Sequence, residues 1–105
     1  MNLPETINFP EMLQRARRVQ EQMQRQLQDL RVEADSGGGM VSVVMNGQKY
    51  VLALTIDPEL FKDGDAEMIQ DLVMGAINQA SQKVDEQMQQ KIGSLLSSLN
   101  LPTTT

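Results

Sequence analysis

The first third of the chain places apolar residues with the period of a helix. From Phe9 onward they recur every three or four positions, which at about 100° per residue confines them to one face. The positions that follow Phe9 are Met12, Leu13, Ala16, Val19, Met23 and Leu27. Asn8 stands before this run as an N-cap, with Pro10 in the first turn and Glu11 three residues after the cap. The pattern predicts a long helix that ends near Gln28 or Asp29.

The period then shortens to two residues. Leu30, Val32 and Ala34 alternate with charged residues, which is the rhythm of a half-buried strand. Three consecutive glycines at positions 37–39 follow, and glycine reaches the positive φ angles of a tight turn without steric cost. This part of the chain predicts a first strand and a turn.

Two further strands are predicted on either side of Asn46-Gly47. Residues 40–45 are rich in β-branched side chains, and residues 49–56 form the return segment. Asn-Gly between two such segments is the strongest two-residue hairpin signal. The sequence therefore predicts three antiparallel strands.

The remainder of the chain predicts a second long helix. Asp57-Pro58 ends the last strand, an acidic loop runs to Asp65, and Asp65 caps the helix with Glu67 in its first turn. Apolar positions continue for about eight turns. They are Ile69, Leu72, Val73, Ala76, Ile77, Ala80, Val84, Met88, Ile92, Leu95 and Leu99. Because three strands cannot cover so long a stripe, the half from about Val84 is expected to pack on the first helix, in the same chain or in a second copy.

The length of 105 residues and the apolar content of 40% suit one domain. We expect this domain to span residues 9–100, between a flexible segment at 1–8 and a disordered tail at 101–105. Neither a signal peptide nor a run of about 18 apolar residues is present. A cytoplasmic protein that does not insert into a membrane is expected.

Histidine and cysteine are both absent. Thiolate nucleophiles, Cys/His zinc sites and the usual general base near neutral pH are therefore excluded. The glycines at 37–39 lack the helix N-terminus and the lysine that a phosphate-binding loop needs. We expect neither an enzyme nor a cofactor, metal or small-molecule substrate.

The charge is unevenly distributed. The formal net charge is -5, yet residues 12–28 contain four arginines and one acid. Arg15, Arg17, Arg18 and Arg25 are candidates for contacts with nucleic-acid phosphates, and Arg18 and Arg25 share one face. A solvated helix face, or ion pairs from Arg15 and Arg17 across helices, is the alternative. Two further basic residues, Lys83 and Lys91, are weaker candidates because Asp85 and Glu86 offset them.

Eight methionines could line an adaptable groove for a partner, but packing of the helices is the preferred interpretation. It applies to Met12, Met23, Met68 and Met88, which lie on the apolar stripes. The three aromatic residues are not interleaved with the basic residues, so base stacking on single strands is not expected.

In this order and spacing, the segments resemble the YbaB/EbfC nucleoid-associated proteins of bacteria. The resemblance extends from about Met12 to Leu101 and rests on a basic first helix rich in Gln and Met, followed by a set of short motifs. These are Ser36-Gly37-Gly38-Gly39, Val41-Ser42-Val43, Asn46-Gly47, Ile56-Asp57-Pro58, Asp71-Leu72-Val73, Ala76, Asn78 and Ala80. Arginine stands where first helices of the family are often rich in lysine, and the family's glycine- and proline-rich ending is missing.

The resemblance implies an α+β protomer of order α-β-β-β-α, with a three-stranded antiparallel sheet and two long helices. It also implies a homodimer with projecting helical arms that binds double-stranded DNA with little sequence specificity, organises the nucleoid and influences gene expression. The candidate DNA-binding residues are then Arg15, Arg17, Arg18, Arg25, Lys83 and Lys91. The alternative is a dimeric helical adaptor that binds a protein partner.

Overall fold

The computed structural model describes residues 8–63 and 65–98. In chain order its elements are α1 (Phe9–Asp29), β1 (Arg31–Ser36), β2 (Val41–Asn46), β3 (Val51–Ile56), α2 (Glu59–Asp63) and α3 (Ala66–Ser98). The predicted α+β layout of two long helices and three strands is confirmed. Apart from Asn8, the predicted flexible segment at residues 1–8 and the predicted tail at 101–105 lie outside the described residues.

Both predicted helix caps are present. The Asn8 side chain accepts a hydrogen bond from the Glu11 N–H at 3.4 Å, and the Asp65 carboxylate accepts one from the Met68 N–H at 2.7 Å. Each contact satisfies an N–H that has no partner inside the helix. In the described part of the chain, no helix is long and apolar enough to cross a membrane.

The three strands form one antiparallel sheet in the order β1-β2-β3. The glycines at 37–39 all have positive φ, between 62° and 94°, as the turn between β1 and β2 requires. Helix α3 packs on one face of β1 and β2, and the core lies between them. Its buried side chains are Val32 and Ala34 on β1, Val41, Val43 and Met45 on β2, and Ala76, Ala80 and Val84 on α3, joined by Leu60.

The turn between β2 and β3 is longer than predicted. The Lys49 N–H donates to the Asn46 carbonyl at 3.0 Å, and Lys49, not Gly47, has the positive φ of 67°. This is a three-residue turn that ends in a left-handed residue. The Asn46 side chain holds it by accepting hydrogen bonds from the N–H groups of Gln48 and Tyr50, each at 3.0 Å.

The segment predicted as an acidic loop contains helix α2, so that prediction was wrong. The Asp57 side chain accepts a hydrogen bond from the Glu59 N–H at 3.0 Å and starts the helix. One turn places Leu60 in the core, where it is 2% exposed. Burial of this one apolar side chain gives the short helix a fixed position.

The apolar stripe of α3 is covered further along than predicted. Val84 is only 1% exposed against the sheet, and Met88 is partly buried beside it. Exposure begins at Ile92 and Leu95, which are 54% and 61% exposed. Leu99, the last predicted stripe position, lies outside the described residues. The sheet therefore covers the helix as far as Met88, about one turn beyond the expected limit.

Candidate nucleic-acid interface

Helix α1 projects from the sheet as an arm that is attached at its C-terminal end. The Gly47 N–H donates to the Leu27 carbonyl at 2.7 Å, and Leu30 packs against the core. A Cβ at position 47 would lie 2.6 Å from the Leu27 oxygen, so only glycine permits this approach without movement. The radius of gyration is 21.0 Å, whereas a compact domain of this length has about 13 Å.

The surface of α1 is solvent-exposed except at its attachment, where Leu27 is half-buried. No residue of the helix is buried, and its apolar stripe is open: Met12, Val19 and Met23 are each 56% exposed. Within the single chain, the expected packing of the stripe methionines is not found for Met12 and Met23, nor for Met68, which is 42% exposed. Their packing against a second copy stays a prediction. In this chain α1 carries a free apolar side and a free polar side.

The apolar side of α1 faces the distal part of α3 across a groove. Val19 and Met23 line one wall, Met88, Ile92 and Leu95 line the other, and the cavity between them measures about 550 Å³. The two stripes that were expected to pack together thus face each other without closing.

The four arginines of α1 differ in their contacts. Arg15 forms an ion pair with Glu11 at 3.3 Å, and Arg25 forms one with Glu21 at 3.9 Å. Both side chains of each pair are more than half exposed. Both pairs join residues four apart on one helix, so the alternative of cross-helix pairing is not found for Arg15 among the described residues. Within residues 8–63 and 65–98, Arg17 and Arg18 have no ion-pair partner.

The two candidate lysines of α3 make different contacts. The Lys83 ammonium donates to the backbone carbonyl of Glu33 on β1 at 2.6 Å. Lys91 lines the groove beside α1, near Met23. Asp85 does not offset Lys83 as expected, because it pairs with Lys49 at 3.0 Å. The structure thus brings Lys91, but not Lys83, to the arginine-bearing helix.

Strand β3 is an exposed apolar edge that was not among the sites predicted from the sequence. The Asn46 N–H donates to the Tyr50 carbonyl at 3.0 Å, so the alternate residues of β2 counted back from Asn46 form hydrogen bonds with β3. Their partners on β3 are Ala53 and Thr55. Leu54 and Ile56 therefore direct their backbone N–H and C=O groups away from the sheet. The absence of charge from residues 51–56 could have drawn attention to this strand. No comparable sequence pattern indicated the contact of Gly47 with α1.

Comparisons with known proteins identify a family. The model of the YbaB/EbfC DNA-binding family matches residues 5–99. Proteins named nucleoid-associated protein are 43% identical in Koribacter versatilis, over 90% of this chain and 94% of that protein, and 46% identical in Acidobacterium capsulatum, over 88% and 90%.

A solved structure shares the fold. It is the crystal structure of the uncharacterized protein HP0035 from Helicobacter pylori, which is 30% identical to this chain and superposes with a TM-score of 0.62. The match covers 81% of this chain and 99% of that one. From its sequence, its fold and its relatives, the chain belongs to the YbaB/EbfC DNA-binding family.

Proposed function

We propose that the protein works as a homodimer that binds double-stranded DNA with little sequence specificity, and that it thereby organises the nucleoid and influences gene expression. The observation that carries the proposal is α1: a basic helix, exposed along most of its length, in a member of a DNA-binding family. DNA is the macromolecule to which such a helix is complementary, because each turn of duplex offers a dense row of phosphates.

Arg18 and Arg25 are the proposed principal phosphate contacts. They lie on the side of α1 opposite the apolar stripe, about 10.5 Å apart at 1.5 Å per residue, a length of duplex that carries about six phosphate charges. Arg18 has no ion-pair partner among the described residues, and the Arg25–Glu21 pair at 3.9 Å is long and exposed. Exchange of such a pair for a phosphate costs little.

The other four candidate basic residues are proposed to contribute less to DNA binding. Arg17 is exposed beside the stripe, and Arg15 must leave Glu11 to reach a phosphate. Lys91 lies in the groove on the apolar side of α1, away from Arg18 and Arg25, so it is proposed only as a secondary contact. Lys83 is engaged with a backbone carbonyl on β1, so its contribution to DNA binding is the smallest of the six.

Dimerisation through β3 would supply the second arm. An identical strand from a second copy can pair with β3 in an antiparallel arrangement, through hydrogen bonds of the Leu54 and Ile56 backbone groups. Apolar side chains on both faces of the strand would then pack against those of the second copy. Val51, Leu52 and Leu54 are 43% to 47% exposed in one chain, and pairing removes this surface from water. Two arms on one six-stranded sheet can straddle a duplex.

Low sequence specificity follows from the kind of contact. Arginine contacts to phosphate position a protein on DNA, whereas base-edge contacts in the grooves read sequence. The exposed polar side of α1 consists mainly of Gln and Arg, and its arginines are proposed to contact phosphates. Shape and backbone recognition are therefore expected to dominate.

The test is fluorescence anisotropy of a labelled random-sequence duplex titrated at several salt concentrations. Binding should be saturable, and its logarithmic salt slope should become shallower by about 1 for each phosphate contact removed. We expect Arg18→Ala to flatten the slope more than Arg25→Ala, because Glu21 already neutralises part of Arg25. The double variant should weaken binding further.

Lys62→Ala is the matched control for the loss of one positive charge. Lys62 lies on α2 and pairs with Glu59 at 3.5 Å, away from the arm. Its variant should retain the affinity and salt slope of the native chain. Equal slopes for the native chain and the Arg18/Arg25 double variant would remove these residues from the interface.

The groove between α1 and α3 favours a second candidate function, a dimeric adaptor for a protein partner. Four of its five apolar lining residues, all except Met88, are more than half exposed, which is enough to bind an amphipathic segment. Absence of duplex binding even at low salt would favour this function over DNA binding.

A further inference from the structure

The two edges of the sheet are chemically unlike. β3 is uncharged from Val51 to Ile56 and is exposed over most of its length. β1 alternates buried apolar residues with Arg31, Glu33 and Asp35. An unpaired strand edge is a template for another chain, and proteins commonly protect it with charge, lysine above all. The chain therefore has one edge suited to pairing and one that is not.

The free backbone groups of β1 can be assigned from the ladder. Because alternate residues of β2 from Asn46 backwards bond to β3, the residues between them, Val43 and Met45, bond to β1. Glu33 lies between their partners on β1 and directs its N–H and C=O away from the sheet. Its carbonyl is thus the acceptor at the centre of the free edge.

Lys83 occupies that acceptor. Its side chain extends from α3 around the edge of the sheet, and the ammonium donates to the Glu33 carbonyl at 2.6 Å. Lys83 is not engaged in an ion pair within the described residues, and its neighbour Asp85 pairs with Lys49. A positive charge is therefore held at the place where the next strand would bind.

A strand that paired with β1 would have to displace this contact. Either the ammonium would leave the carbonyl, or it would be enclosed between the two strands. Removal of an ammonium from water carries a heavy desolvation cost even beside carboxylates, here those of Glu33 and Asp35, which line the same cavity as Lys83. At the start of the same strand, Arg31 donates to the carbonyls of Gln28 and Leu30, so the junction with α1 obstructs that end.

We propose that Lys83 protects the β1 edge and confines strand pairing between copies to β3, so that assembly closes at two chains. The proposal extends the homodimer proposed above. A sheet with two open edges would instead grow by repeated pairing, since each added copy would present a new free edge. One protected edge makes the two-fold pair a closed assembly.

Four proteins test the proposal by light scattering over a range of micromolar concentrations. They are the native chain, Lys83→Ala, Leu54→Lys, and the double variant Leu54→Lys/Lys83→Ala. Leu54 lies in the middle of β3, so lysines from two copies would repel each other across the pair. The native mass should be twice 11.7 kDa, Lys83→Ala should form larger species, Leu54→Lys should be monomeric, and the double variant should regain association through β1.

Two matched variants isolate the role of the charge at the edge. Lys83→Arg keeps a cationic donor there and should keep the native mass. Lys91→Ala removes the same charge two turns later on α3, beyond the sheet, and should also keep it. Circular dichroism of each variant confirms that it is folded, which is expected because position 83 is exposed on a helix.

The outcomes separate this proposal from the proposed homodimer. A monomeric native chain would overturn the β3 dimer, yet an increase in mass on Lys83→Ala would still support protection of β1. A Lys83→Ala variant with the native mass at every concentration would overturn the protective role, whether the native chain is a monomer or a dimer. Larger species from Lys91→Ala as well would also overturn it, because loss of charge anywhere would then suffice.

Discussion

α1 and α3 carry apolar stripes of the same helical period, and the two stripes are buried to very different extents. In α3 the residues Ala76, Ala80 and Val84 are at most 1% exposed against the sheet. In α1 no residue is buried, and Val19 is 56% exposed. The difference lies in position: α3 crosses β1 and β2, whereas α1 leaves the sheet at its hairpin end.

The comparison shows what amphipathic periodicity does and does not specify. A stripe identifies the face of a helix that gains free energy by leaving water. It does not identify the surface that covers the face. An exposed stripe on a long helix therefore indicates a contact that the single chain does not complete, and substitutions on the two helices should separate these cases.

The largest difference is expected between Val84→Asp and Val19→Asp. A carboxylate at position 84 would be buried without a partner, at a cost of about 4 kcal/mol or more, which is comparable with the whole stability of a small domain. At position 19 the same change should alter the free energy of unfolding by less than about 0.5 kcal/mol. Urea denaturation followed by circular dichroism measures both values.

The result at position 19 also reports on partners of α1. If Val19→Asp destabilised the protein as strongly as Val84→Asp, the α1 stripe would be buried in the folded assembly. The comparison between a covered and an uncovered helix would then hold only for the isolated chain.

A smaller effect is expected at the attachment of the arm. Gly47→Ala would place a Cβ 2.6 Å from the Leu27 oxygen and 2.9 Å from its Cα. Since both atoms belong to the backbone, α1 must shift, at a cost of about 2 kcal/mol, typical of overpacking. Thermal unfolding measures this loss.

Gln48→Ala is the control for the attachment, because it changes the adjacent exposed residue of the same turn. It should leave stability within about 0.5 kcal/mol of the native value. If Gly47→Ala were equally neutral, α1 would not be fixed by its contact with this glycine.

The features that the sequence predicted correctly depend on neighbours in the chain. Asn8 and Asp65 cap their helices through residues three positions away. β1 follows from alternation along six residues, and β2 from its β-branched residues next to Asn46-Gly47. The pair Arg15–Glu11 is of the same local kind, four residues apart on one helix. The four-residue spacing was enough to predict this pair, whereas the ion pairs suggested from sequence were across helices.

Most of the features that were missed depend on distant parts of the chain. α2 begins with a local cap from Asp57, but its position is fixed by burial of Leu60 in a core built from other elements. Gly47 is required by the approach of α1, and Lys83 binds a carbonyl 50 positions away. No periodicity or short motif encodes such contacts, because each arises only when the sheet and helices are assembled. The candidate arginines could be named from sequence, but their differing ion pairs could not.

The smallest predicted effect compares the two halves of α3 itself. Gly75 lies where the helix packs on the sheet, and Gly93 lies beyond it; a Cβ added at either position meets no close atom, the nearest to position 75 being Ser36 Cβ at 3.9 Å. Glycine to alanine in a helix contributes about 1 kcal/mol in both cases. Gly75→Ala should raise the global free energy of unfolding by this amount. Gly93→Ala should instead slow amide hydrogen exchange about fivefold in the last turns of α3 only, because the exposed extension can open without unfolding the core. Hydrogen exchange measured by NMR distinguishes the two responses.

Should Gly93→Ala raise global stability as Gly75→Ala does, the end of α3 would unfold together with the core. Its apolar stripe would then have to be covered by α1 or by a second copy in solution.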